Sequence, residues 1–127
     1  MIIQEIMTTD LEIVGEQLVA EQAYDTMKQA GIHHLIVMRA DKSVGVVSER
    51  DLGGPKGQSV RAGKTVGELT SFDVITVKPS DSIRDAATLL QGYNIGSLLV
   101  EDDNEVVGII TISDLLSLVA EGLLETV

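Results

Sequence analysis

Apolar positions along this chain fall into two successive sets with the same order of periodicities. Each set opens on a short extended piece, Glu12-Ile13-Val14 in the first and Val74-Ile75-Thr76-Val77 in the second. A stretch of helical period follows: Val19, Ala23, Met27 and Ala30 in one copy, Ile83, Ala86, Ala87 and Leu90 in the other. Pro79-Ser80-Asp81-Ser82 is a helix-start signal, and Ser82 with Asp85 suits a capping box. Gly31 and Gly92 stand where the two helices are expected to stop. Paired runs of β-branched and aliphatic residues then predict a hairpin in each copy. They are Leu35-Ile36-Val37-Met38 with Val44-Gly45-Val46-Val47, and Ser97-Leu98-Leu99-Val100 with Val106-Val107-Gly108-Ile109-Ile110. A second helix is expected from near Asp51, and its counterpart from near Asp114 through Leu116, Val119 and Leu123.

Residues 1–52 lie on 64–115 without a gap. Identities fall at Glu5/Glu68, Asp10/Asp73, Val14/Val77, Ala23/Ala86, Ile32/Ile95, Leu35/Leu98, Val37/Val100, Val44/Val107, Gly45/Gly108, Asp51/Asp114 and Leu52/Leu115. The match closes on a polar signature, Gly45-Val46-Val47-Ser48-Glu49-Arg50-Asp51-Leu52 against Gly108-Ile109-Ile110-Thr111-Ile112-Ser113-Asp114-Leu115. A repeat this short cannot cover its own apolar face, so two copies are expected to fold against each other around one core. Any site at their contact then occurs twice. Gly53-Gly54-Pro55-Lys56-Gly57-Gln58-Ser59 is too rich in Gly and Pro for regular structure. The expected organisation is repeat 1–56, linker 57–63 and repeat 64–127, in the α/β (α+β) class.

The 127 residues suit one compact domain or two fused half-domains. Hydrophobic residues make up 44%, yet Tyr24, Phe72 and Tyr93 are the whole aromatic complement, so the core must be aliphatic. No long uncharged apolar run exists to span a membrane, and no basic-then-apolar leader marks secretion. The absence of cysteine excludes disulfides, thiolate metal sites and Cys nucleophiles. A cytoplasmic location is the default expectation.

Net charge is −11, but residues 28–64 carry Lys28, Arg39, Lys42, Arg50, Lys56, Arg61 and Lys64 against only Asp41, Glu49 and Asp51. An acidic chain with few aromatics is a poor candidate for gripping nucleic acid. The basic middle could hold a small anion or be ordinary solvated surface. Lys56, Arg61 and Lys64, flanking the linker, could supplement a phosphate, with solvent exposure the favoured expectation.

Strand, helix, hairpin and helix, twice over, each hairpin ending in Gly-Val-Val-Ser or Gly-Ile-Ile-Thr ahead of an Asp, resemble a tandem pair of cystathionine-β-synthase (CBS) domains, the Bateman module. Gly31-Ile32-His33-His34-Leu35-Ile36-Val37 resembles the corresponding stretch of a first repeat, and Tyr93-Asn94-Ile95-Gly96-Ser97-Leu98-Leu99-Val100 that of a second. The resemblance covers about residues 1–122. It implies two β-α-β-β-α repeats packed through their sheets, with pseudo-twofold-related clefts for an adenine nucleoside or nucleotide. It also implies that Ile13, Ile75 and Thr76 wall the adenine slot, although on sequence alone they are ordinary core residues.

Asp51 and Asp114 are the first candidates, because a carboxylate offers paired acceptors to the two donors of a ribose diol. Each also stands at an expected helix start, where N-capping is the alternative role. Recurrence in both copies favours ligand contact. The hydroxyls of Ser48, Thr111 and Ser113 leave strand ends beside helix N-termini, where backbone N–H groups attract anions. Arg50 replaces the second hydroxyl in copy one, and could meet phosphate or pair with Glu49 or Asp51. The resemblance places His33 and His34 within reach of phosphate, where copy two has Gly96 and Ser97. A His-His pair can also begin a metal site, but no third ligand pattern supports one.

No catalytic constellation emerges: there is no G-x-S-x-G, no P-loop, and no histidine besides the adjacent pair. The expected function is a non-catalytic sensor, with no obligatory cofactor. Its effector would be AMP, ADP or ATP, with S-adenosylmethionine a further candidate, and it would control a separate partner protein. Leu115, Leu116, Leu118, Val119, Leu123 and Leu124 form an apolar arc wider than one core-facing stripe. Either a thick core or a second subunit accounts for it. The alternative function is therefore a homodimerising interaction module with vestigial clefts.

Overall fold

A computed structural model of the chain describes residues 1–122. They divide into two compact units, one formed by Leu11–Val74, the other by Met1–Asp10 with the chain from Ile75 onward. The first unit comprises β1 (Ile13–Gly15), α1 (Ala20–Ala30), β2 (His34–Met38), β3 (Val44–Ser48) and a short α2 (Gln58–Arg61). The second comprises β4 (Thr76–Val77), α3 (Ile83–Tyr93), β5 (Ser97–Asp102), β6 (Glu105–Thr111) and α4 (Ile112–Ala120). Each holds one three-stranded sheet, with the first strand parallel and the third antiparallel to the middle strand. A parallel pair needs a long crossover, and α1 and α3 supply it. The mixed α/β class and the strand–helix–hairpin order are those the apolar pattern predicts.

Each helix covers one face of its own sheet. Ala20, Ala23, Tyr24 and Met27 of α1 share a core with Leu35, Val37, Val47 and Leu52. Ile83, Ala86 and Leu90 of α3 share another with Val77, Leu98, Val100, Ile110 and Leu118. The α1 face is turned from the expected one: Val19 is the N-cap with extended dihedrals and half exposed, and Ala30 is exposed. Ala20 and Tyr24 take those core places. Gly31 ends α1 in the left-handed region at φ 67°, as expected. In contrast, α3 runs past Gly92 to Tyr93, and Asn94 makes the left-handed cap at φ 52°. Ser82 Oγ accepts the Asp85 amide at 3.0 Å, which is one half of the expected capping box.

Three expectations fail after Asp51. No helix starts there; turns run from Glu49 to Gly53, with Gly53 (φ 89°) and Gly54 (φ 68°) in left-handed conformations that stop helical winding. The Gly/Pro-rich stretch is irregular only through Gly57, because Gln58 and Ser59 belong to α2. Arg61, expected at the surface, is buried. On α4, Leu118 is buried and Leu115 half-buried, whereas Leu116 and Val119 are exposed; Leu123 and Leu124 lie outside the described residues.

The segment leading into each repeat belongs to the unit built by the other repeat. Single 3₁₀ turns at Ile3–Glu5 and Val66–Leu69 put Ile3 into the α3 core and Val66 into the α1 core. The Ile3 amide donates to Asp81 O at 2.8 Å, and the Val66 amide to Leu18 O at 2.7 Å. Thr8 and Ile109 exchange backbone bonds at 2.9 and 3.0 Å; Ser71 and Val46 do the same at 3.4 and 3.1 Å. These are equivalent positions in the two repeats.

The identical Gly45 and Gly108 are explained by these leading segments. A Cβ on Gly45 would lie 2.5 Å from Ser71 O and 2.8 Å from Phe72 Cδ1. On Gly108 it would lie 2.7 Å from Met7 Sδ and 3.1 Å from Thr8 O. Gly45→Ala is therefore expected to lower unfolding stability by about 1–3 kcal/mol. Gly108→Ala should cost less, because the thioether can swing aside. Urea denaturation of the two variants checks that order.

Candidate functional site

The signature turn closes identically in both units. At the end of β3 the Ser48 amide donates to Asp51 Oδ2 at 2.8 Å, and the Asp51 amide donates to Ser48 Oγ at 3.0 Å. At the end of β6 the Thr111 amide donates to Asp114 Oδ2 at 2.8 Å, and the Asp114 amide to Thr111 Oγ1 at 3.2 Å. This reciprocal box satisfies two backbone donors at a strand–turn junction. It occupies one carboxylate oxygen of each Asp and leaves Oδ1 outside the box. Capping and ligand contact are thus compatible on the same side chain. Asp51 is exposed and Asp114 half-buried; Thr111 is buried at 8% exposure, while Ser48 is half-buried.

Strand register gathers several other candidates on one sheet face. His34 pairs with Ser48, and Ile13 pairs with Ile36, which pairs with Val46. Cross-strand partners and alternate residues share a face, so Ile13, Ile36, Val46, His34 and Ser48 line the side of the sheet away from α1. In the other unit the same reasoning places Thr76, Leu99, Ile109, Ser97 and Thr111 together. Ile13 and Thr76, at equivalent positions, are both exposed. Ile75 points the other way and packs against the α3 core.

The two turns carry different charge. His33 Nδ1 contacts Glu49 Oε2 at 2.8 Å, and the Glu49 amide donates to His33 O at 2.9 Å. Arg50 is exposed beside them. In the other unit the matching amide, Ile112 N, donates to Gly96 O at 3.1 Å, and the neighbours are the uncharged Ile112 and the exposed Ser113. Among the described residues no three His, Asp or Glu side chains group as metal ligands.

Sequence reasoning missed one residue that shapes the site. Arg61 is 2% exposed, its Nη1 donating to Leu52 O and to Gly54 O, both at 2.7 Å. Its Nε donates to the Glu21 carboxylate, and the guanidinium lies 3.9 Å from the Tyr24 ring centre. Only its place just after a glycine-rich loop that interrupts the repeat could have signalled this.

A family model described as CBS domain matches residues 3–52 and again residues 66–121. The chain belongs to the CBS-domain family. Both matched CBS stretches begin at the 3₁₀ turns and contain a signature turn. The chain is 28% identical over 114 residues to the CBS domain-containing protein YhcV of Bacillus subtilis, covering 89% of this chain and 81% of that one. It is 29% identical over 124 residues to a homoserine O-acetyltransferase of Methanosphaerula palustris, covering 95% of this chain but only 24% of the enzyme. Among solved structures it resembles the CBS domain pair of protein MJ0100, crystallised with 5-methylthioadenosine and S-adenosyl-L-methionine. That likeness has a TM-score of 0.81 at 22% identity and covers 96% of this chain and 98% of that one.

Removing either hydroxyl of the boxes should be felt without ligand. Ser48→Ala and Thr111→Ala are each expected to cost about 1 kcal/mol of stability, the usual value of a capping acceptor. Urea midpoints at unchanged slope provide the measurement.

Proposed function

We propose that this CBS pair is a non-catalytic regulatory module that binds an adenine nucleoside or nucleotide at its signature turns and thereby alters a partner protein in the cytoplasm. The observation that carries this reading is the twofold recurrence of one box, in which a carboxylate is held at a fixed angle with Oδ1 left over. A preset carboxylate meets a ribose diol without spending side-chain entropy on ordering. Exposed Ile13, on the same sheet face as half-buried His34 and Ser48, offers a purine an apolar contact near the sugar contact. Both ligands named for the MJ0100 pair are adenosine derivatives, which supports the ligand class. AMP, ADP and ATP would find the Arg50 guanidinium and the His33 and His34 imidazoles near the Asp51 turn. S-adenosylmethionine suits the less charged turn at Asp114.

Calorimetric titration with AMP, ATP and S-adenosylmethionine tests the proposal. Asp51→Ala and Asp114→Ala should each weaken binding at their own turn by about tenfold or more, since a charge-assisted pair is worth roughly 1.5–3 kcal/mol. Wild-type binding by both variants, or no heat with any of the three compounds, overturns the reading.

One observation favours a second reading, homodimerisation through α4. Ile112, Leu116 and Val119 are 44%, 61% and 57% exposed at helical spacing, forming an apolar stripe along the helix. Another copy of the same helix would cover such a stripe symmetrically. Light scattering is expected to give a dimer for the wild type and a monomer for Leu116→Glu. A monomeric wild type defeats this reading. Ligand control and dimerisation can coexist where the ligand binds two dimer geometries unequally.

A further inference from the structure

We infer that Arg61 is the positioning residue of the Asp51 turn, standing in for the helix that the other unit builds at the same place; its bearing on ligand rests on the reading proposed above. In the 75–122 unit, Asp114 is held by a box and also by the winding of α4 behind it. In the 11–74 unit winding stops after one turn, at Gly53 and Gly54. A continuing helix would satisfy the carbonyls of Leu52 and Gly54 with amides one turn onward. Here the Arg61 guanidinium donates to both carbonyls instead.

The guanidinium is itself fixed from α1, by the Glu21 carboxylate and the face of Tyr24. Its backbone is fixed as well: the Arg61 amide donates to Gly57 O at 3.2 Å, and Gly57 is packed so tightly on Gly53 that a Cβ there would run into the Gly53 backbone. A planar fork with several donors can reach two carbonyls and a carboxylate together, which a lysine ammonium on its flexible stem does not reproduce. Arg61 therefore holds Leu52–Gly54 against α1, and with them the residue just before, Asp51.

Amide hydrogen exchange followed by NMR tests this without any ligand. In Arg61→Gln the Ser48 amide, which donates to Asp51 Oδ2, should exchange about tenfold faster or more, the equivalent of losing about one hydrogen bond. The Thr111 amide, in the matching box, should keep its wild-type rate, and so should the Val37 amide in the core of the same unit. Unchanged Ser48 protection overturns the inference, as does an equal acceleration of Ser48 and Val37, which would mark general loosening. If Arg61→Gln does not fold, Arg61→Lys, which keeps the charge opposite Glu21, decides by the same comparison. Titrating the same samples with AMP separates the two ideas. Arg61→Gln should lose the AMP-induced shift of the Asp51 amide and keep that of Asp114. A wild type whose amides ignore AMP overturns the nucleotide reading, while the exchange rates still judge Arg61.

Discussion

A sheet of three strands has a bare edge, and this chain is organised around covering it. The outer strands β3 and β6 would each leave backbone donors and acceptors unpaired, which is costly and invites association. A segment from the start of the opposite repeat supplies the missing pairing, Ser71 to Val46 in one unit and Thr8 to Ile109 in the other. The segment approaches so closely that the strand must carry glycine at the adjoining position, Gly45 or Gly108. Two residues beyond each bridge the strand ends at the box hydroxyl, Ser48 or Thr111. The signature turn thus emerges from a strand held on both sides, and its carboxylate inherits that rigidity.

The sequence displayed what depends on local period and on recurrence. The continuous apolar runs Leu35–Met38 and Val44–Val47, the helical spacing of Ile83, Ala86 and Leu90, and the twofold signature all project directly into elements. Ser48, Asp51, Thr111 and Asp114 stood out one by one, with Asp as the expected N-cap; the structure makes Thr111 the N-cap of α4 and puts Asp114 three residues on, closing the box. What stayed hidden is non-local. Nothing in Ile3 or Val66 reveals that each packs into the core of the other repeat, since an apolar residue in a short irregular stretch has no period to read. Gly45 and Gly108 invite a close backbone approach within a strand on sequence alone, but which segment makes it is non-local.

Arg61 shows the same limit from the polar side. A lone arginine after Gly53-Gly54-Pro55-Lys56-Gly57 has the composition of exposed surface, and charged residues are rarely buried without partners. Its partners are two backbone carbonyls, which no sequence pattern names, and Glu21, which lies on α1 far back in the chain. Register errors had a similar origin. Val19 fits the helical spacing of α1 by type, but its extended dihedrals at the N-cap turn it out of the apolar face, and Ala20 fills the place.

The two turns share the feature that suits a diol and differ in the feature that would meet a phosphate. Asp114 sits in the first turn of α4, where the helix dipole favours its negative charge and adds a field that attracts anions. Asp51 has no helix behind it, so that field is missing. Instead its surroundings carry polar side chains that the other turn lacks: Arg50 is exposed, His33 is engaged by Glu49, and His34 stands across from Ser48. A diffuse dipole discriminates weakly between one anion and the next, whereas a discrete charged side chain at one side of a turn rewards a ligand with charge in that direction. On the proposed reading, divergence between the repeats at 33, 34, 49 and 50 would alter which ligand charge each turn accepts, while the carboxylate proposed to meet the sugar stays in place.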